Sequence, residues 1–201
     1  MHSLITIIVG IAVILIIIRY TRPQKIKNYP SHGKKVIAFG DSLIAGLGST
    51  KGNDFVSLLE DEVGESIVNM GVPGEITMHG LSRVHLVTEQ NPKVVLVLLG
   101  GNDYMRGIPI DNTFENLDHI IMKIQKAGAV VLLIGIQGGI VIDSYERRFK
   151  ELAKKRETLF VPNILEGIIG NAELMSDEVH PNDKGYRIIA DKIYPVLLKA
   201  L

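Results

Sequence analysis

Five short runs of large aliphatic residues recur along the chain at similar intervals: Val36–Phe39, Ile67–Met70, Val94–Leu99, Val130–Ile136 and Leu159–Val161. They do not alternate with polar residues, which is the pattern of strands buried on both faces. Between them lie longer amphipathic stretches near Phe55–Val63, Met78–Glu89, Thr113–Lys126 and Tyr145–Lys155, and a last one runs from about Asp183 to Leu198. In the third, Phe114, Leu117, Ile120, Ile121 and Ile124 repeat at helical spacing, with Asp111 or Asn112 placed to cap it. Strand–helix alternation implies right-handed crossovers and a parallel sheet covered by helices on both faces. The expected fold is therefore α/β, a three-layer α/β/α sandwich around a five-stranded parallel sheet. Composition agrees: 46% of residues are hydrophobic but only 5% aromatic, with no Trp, so the core is built from Ile, Val and Leu.

A sixth apolar run, Leu4 to Ile18, is of another kind. Counted from Met1, the uncharged stretch would make roughly 27 Å of helix at 1.5 Å per residue. That can span a hydrocarbon core of about 30 Å if Arg19 snorkels and Tyr20 sits at the interface. No basic residue precedes the run and no small-x-small site follows it, which disfavours a cleaved signal peptide. It has no polar face, which disfavours a core helix. The expected organisation is a single-pass anchor at 1–20, a basic linker at 21–33 and one globular domain at 34–201. Arg19, Arg22, Lys25 and Lys27 follow the run, so the positive-inside rule puts the domain on the cytoplasmic face. With Pro23 and Pro30 they read either as a linker suited to anionic headgroups or as a solvated stop-transfer flank.

In a parallel α/β sheet, ligands bind at the carboxyl ends of the strands. The polar residues following each strand are Gly40, Asp41 and Ser42; Asn69, Gly71, Pro73 and Gly74; Gly100, Gly101, Asn102 and Asp103; and later Asp177, His180, Pro181 and Asn182. A serine hydroxyl needs an adjacent base, histidine suits that task, and a carboxylate fixes its tautomer. Ser42, His180 and Asp177 are the candidates. The backbone N–H groups of Ser42 and Gly74 and the side-chain amide of Asn102 are candidate oxyanion donors.

Each of these residues also has a plainer reading. Ser42 could be a turn or cap residue, Asn102 a turn former, and Asp177 and His180 a lead-in to a helix that Pro181 opens. His79, His85 and His119 lie on expected helices and read as surface or core-edge residues; His2 and His32 have no assigned role. The chain lacks cysteine, so disulfides, thiolate metal sites and a cysteine nucleophile are excluded. Its formal net charge is zero, which gives no footprint for nucleic acid. No GxGxxG or Walker pattern follows the first strand, and no GxSxG elbow occurs.

Taken together, Gly40-Asp41-Ser42-Leu43, the glycine segment Asn69–Glu75, Gly100-Gly101-Asn102-Asp103 and Asp177-Glu178-Val179-His180-Pro181 resemble the four blocks of the SGNH (GDSL) hydrolase superfamily, in order and spacing. The resemblance runs from about Lys34 to Leu201 and implies a flavodoxin-like fold. Gly74 falls at the family's oxyanion glycine, with Gly71 a weaker candidate. Arg106-Gly107 extends the likeness to the bacterial thioesterase I/lysophospholipase/arylesterase group. That implies an apolar substrate-binding loop of Tyr104, Met105, Ile108, Pro109 and Ile110. Such relatives are typically exported, which conflicts with the charge rule on sidedness.

The expected activity is hydrolysis of small or lipid-derived acyl esters through an acyl-serine, requiring no metal or organic cofactor. A carbohydrate O-deacetylase of envelope glycans is the alternative enzyme. A catalytically silent binding domain is the alternative of another class.

Overall fold

The computed structural model describes residues 25–136 and 144–201. Five strands, β1 (Lys35–Gly40), β2 (Ile67–Gly71), β3 (Pro92–Leu98), β4 (Val130–Ile134) and β5 (Leu159–Val161), form one parallel sheet in the order β2-β1-β3-β4-β5. Every residue from Val94 to Leu99 and from Val130 to Ile134 is fully buried, as the unbroken aliphatic runs require. Strand order reverses between β1 and β3, so loops leaving these two neighbours diverge and open a crevice at their carboxyl ends.

Helices α2 (Phe55–Val63) and α8 (Asp183–Leu197) pack together, and α3 (Thr77–Arg83), α4 (His85–Thr88), α6 (Ile110–Lys126) and α7 (Ser144–Arg156) form a second packed group. Two one-turn helices, α1 (Ser42–Ala45) and α5 (Gly101–Met105), follow β1 and β3 directly. Neither was expected, because a single turn carries no periodic signal.

Other boundaries differ for local reasons. The helix expected at Met78–Glu89 is divided at Val84, with Gly80 and the β-branched Val84 weakening its middle. Helix α6 begins at Ile110 after Pro109, and neither Asp111 nor Asn112 caps it. Asp111 instead lies in the first turn, where its charge suits the helix dipole, and pairs with Arg148 at 2.6 Å. Strand β4 stops at Ile134. Asn182, rather than Pro181 at N1, opens α8, its side chain accepting from the N–H groups of Lys184 and Gly185.

The chain before β1 is laid along the opposite, amino end of the sheet. Lys27 N–H donates to Glu157 O at 2.9 Å, just before β5. The Asn28 amide donates to Gln125 O and Ala129 O, before β4, and Ser31 Oγ to Gly128 O. Lys34 N–H donates to Asn91 O, before β3. Ile26 packs against the core. From Lys27 the expected linker is therefore a strap crossing β5, β4 and β3 in turn. Among the described residues no helix is long and apolar enough to cross a membrane. The expected anchor at 1–20 lies outside them.

Candidate active site

Ser42 is the first residue of α1. Asp41 caps that turn, its Oδ1 accepting Leu43 N–H at 3.0 Å, and Gly46 closes it in the left-handed region at φ 77°. The Ser42 hydroxyl thereby stands at the carboxyl end of β1, beside the crevice. Close approach is needed here: a Cβ on Gly40 would lie 2.0 Å from Leu98 O on the neighbouring strand.

His180 meets Ser42 across 138 residues of sequence, its Nε2 lying 3.0 Å from Ser42 Oγ. On the other side Nδ1 lies 2.7 Å from Asp177 Oδ2. Asp177 Oδ1 accepts the N–H groups of Val179 and His180, at 2.9 and 2.8 Å, so one carboxylate holds both ring and backbone of the turn. Ser176 N–H donates to His180 O at 2.8 Å. The His180 hydrogen bond, followed by those two N–H groups, lowers the Asp177 carboxyl to about 2. It is ionised at any working pH. A Ser–His–Asp line of this geometry can move the serine proton to the imidazole while the carboxylate stabilises the resulting cation.

The oxyanion candidates lie on the other flank. The N–H groups of Ser42 and Gly74 have no acceptor among the described residues, and both residues line the crevice. Gly71, the weaker candidate, donates its N–H to Asn69 Oδ1 at 3.0 Å. Gly74 sits at φ 76°, a conformation that glycine tolerates and other residues resist. The Asn102 amide donates to Glu75 O at 3.1 Å and, at a long 3.4 Å, to Asp41 Oδ2.

This flank is braced from behind. Asp103, fully buried, accepts from Thr77 N–H at 2.9 Å, from Thr77 Oγ1 at 2.5 Å and from Thr113 Oγ1. Arg83 grips the buried Glu75 carboxylate through Nε at 2.6 Å and a terminal nitrogen at 2.5 Å. It also donates to Gly40 O and Met70 O, and stacks over Phe39 at 4.2 Å. One guanidinium thus ties the nucleophile's strand to the Gly74 loop. Arg106 holds Gly74 O at 2.8 Å. Burial, the main cause, raises the Asp41 carboxyl to about 7.

The crevice encloses about 360 Å3. Tyr104 and Met105 line it, whereas Ile108, Pro109 and Ile110 do not and instead lead into α6. Its other apolar walls are Leu43, Leu47, Ile136, Leu165, Ile169 and Val179. The sequence reading gave none of these walls a role, nor Glu75 and Arg83, and it noted Asp41 after the first strand without assigning it one. Leu165 and Ile169 belong to an irregular segment where no period marks a face; Arg83 could be read only as an exposed helix charge.

Comparison with known proteins follows this geometry. Residues 38–188 match the model of the GDSL-like Lipase/Acylhydrolase family. The chain is 31% identical to Esterase TesA of Pseudomonas aeruginosa over 174 residues, covering 81% of this chain and 87% of that protein. It is 32% identical to Thioesterase 1/protease 1/lysophospholipase L1 of Escherichia coli K12 over 168 residues, covering 78% and 79%. The crystal structure of TesA superposes with a TM-score of 0.79 at 30% identity, covering 84% of this chain and all of that one.

Proposed function

This chain belongs to the GDSL-like lipase/acylhydrolase family, and from that premise we propose how its own residues carry out the family's reaction. It is a serine ester hydrolase. Ser42 Oγ gives its proton to His180 Nε2 and attacks the acyl carbonyl, while ionised Asp177 stabilises the imidazolium. The N–H groups of Ser42 and Gly74 and the Asn102 amide receive the oxyanion, each donor worth roughly 10²–10³ in rate. Collapse transfers the proton to the leaving alkoxide or thiolate and leaves acyl-Ser42. Water, deprotonated by His180, then releases the acid.

The observation that carries this reading is the unbroken line Asp177 Oδ2–His180–Ser42 Oγ, at 2.7 and 3.0 Å, opening on N–H groups with no protein acceptor among the described residues. The substrate class follows from the walls. Leu47, Tyr104, Met105, Leu165, Ile169 and Val179 offer an apolar surface for an acyl chain rather than donors for sugar hydroxyls. A panel of p-nitrophenyl esters of rising chain length, acyl-CoA, lysophospholipid and acetylated sugar tests it. Medium or long acyl substrates should lead, and a preference for acetylated sugar would replace this reading with O-deacetylation.

We also propose that residues 1–20 anchor the chain in a membrane, with the domain on the cytoplasmic face. The apolar run and the basic residues after it support this. A mature N-terminus beyond Ile18 would contradict the anchor, and digestion of the domain by protease added to intact spheroplasts would contradict the sidedness. A soluble fragment is best begun at Lys25, because a start at residue 30 cuts the Lys27 and Asn28 bonds of the strap.

A further inference from the structure

The strap and the crevice occupy opposite ends of one sheet. Ser42 follows the carboxyl end of β1, and Lys34 precedes its amino end. At about 3.3 Å per residue, β1 separates them by roughly 20 Å. The chain that would enter the membrane leaves the domain at the strap, beside β5, where Lys25 pairs with Glu157. Only residues 19–24 lie between Lys25 and the end of the apolar run at Ile18. Fully stretched they reach about 20 Å.

The face around this exit is cationic and carries an exposed aromatic. Lys25, Lys27, Lys34 and Lys35 are exposed along the strap, as are Lys126 at the end of α6 and Lys150 and Lys154 on α7. Tyr29 is 55% exposed among them. A shallow cavity of about 460 Å3, lined in part by Lys25, Lys150, Lys154 and Phe160, lies at the exit. Of the acidic groups at this end, Glu157 pairs with Lys25 and Glu65 with Lys93. Glu60, which accepts Ile67 N–H at the start of β2, stands with Asp61, Glu62 and Glu89 on the β2 side, at the far edge of the sheet from the exit, and Glu151 faces the cavity of Asp111 and Asp118. Lysines with an interfacial tyrosine are the combination that anionic headgroups attract.

We propose that this amino-end face docks on the anionic surface of the bilayer that holds the chain's own N-terminal run, so that the catalytic crevice opens away from that membrane. The proposal rests on the anchor reading above. It also selects the substrate's route: the acyl ester arrives through water or from a facing surface, not by lateral entry from the anchoring leaflet. The rival orientation presses the crevice rim into that leaflet, because Leu47, Tyr104, Met105, Ile169 and Val179 are exposed there. Such an inversion would stretch residues 19–24 fully and lift their arginines off the headgroups.

The absence of cysteine makes the test direct. The full-length chain carrying His32→Cys or Val72→Cys is labelled with a fluorophore and reconstituted into vesicles of phosphatidylcholine, alone or with phosphatidylglycerol. Headgroup-spin-labelled lipid is the quencher. Quenching at position 32 should exceed that at position 72 several-fold and rise with phosphatidylglycerol. Lys25→Glu, Lys27→Glu and Lys34→Glu together should remove that rise while the protein still floats with the vesicles. Equal quenching, or stronger quenching at position 72, would overturn the orientation. Quenching at 32 unaffected by lipid charge would overturn the headgroup contact. Failure of the full-length chain to float would instead overturn the anchor on which the orientation rests, while leaving the ester hydrolase reading untouched.

Discussion

The two flanks of the crevice are held in opposite ways. On the oxyanion flank Asn102, Glu75 and Asp103 are buried and bonded to residues distant in sequence, with Arg83 tying Glu75 to β1 and β2 and Thr77 held by Asp103. On the acid–base flank the Asp177 side chain is 53% exposed, and its backbone partners lie within three residues. The candidate oxyanion donors are fixed by the fold, whereas the candidate base is fixed by its own turn. Substitutions on the second flank should therefore cost chiefly activity, and on the first both activity and stability.

The largest effect should come from the exposed flank. His180→Ala should lower kcat about 10⁴-fold or more, as loss of a triad base does elsewhere. Thermal stability should fall by about 0.5–1.5 kcal/mol, the net worth of a typical hydrogen bond, since the ring is 16% exposed and bonds Asp177 and Ser42. A marked loss of stability would erase the contrast between the flanks. Asn102→Ala should lower kcat by about 10²–10³ with little change in KM. It should also cost about 1–3 kcal/mol of stability, since Glu75 O and Asp41 lose a donor in a buried setting. A change in KM alone would mark Asn102 as a binding residue.

Arg83→Met sharpens the comparison further. It leaves the Glu75 carboxylate buried without its cation, which should cost about 3–5 kcal/mol, measured by chemical denaturation. Activity should fall through kcat as the Gly74 loop loses its tie to β1, and Arg83→Lys should restore it in part. Retention of both stability and kcat would remove Arg83 from the brace.

That brace also shows where sequence reading stopped. Ser42, Asn102, Asp177 and His180 were legible because reactive residue types stood at strand ends, and the aliphatic runs fixed all five strands to within two residues. Arg83 and Thr77 carry no such mark, and Asp103, although it stands at a strand end, shows no sign of its bracing role, since their partners lie 8 to 43 residues away. Nor does the strap, whose Asn28 and Ser31 bond across 97 to 101 residues. The acyl walls at Leu165 and Ile169 come from chain without periodicity, and the 108–110 segment, apolar by composition, continues into a helix instead.

A pH-dependent effect concerns Asp41, whose carboxyl is raised from 3.8 to about 7, chiefly by burial. The folded chain then holds a proton that the unfolded chain has lost between about pH 4 and 7, so this group's contribution to stability declines as pH rises through that window and levels off above it. Asp41→Asn keeps an oxygen for the Leu43 N–H and cannot ionise. Its stability relative to the parent should rise from pH 5 to pH 8. A difference independent of pH would show that Asp41 titrates near its ordinary value.

The central claim, acyl transfer to Ser42 by His180, is open to one direct measurement. The protein is mixed with a p-nitrophenyl acyl ester, quenched in acid within the first turnover and digested for mass spectrometry. The account predicts an acyl mass on the peptide containing Ser42, formed at the rate of the p-nitrophenol burst and missing from Ser42→Ala and His180→Ala. Acylation at another residue, or turnover by Ser42→Ala at the parent rate, would contradict it.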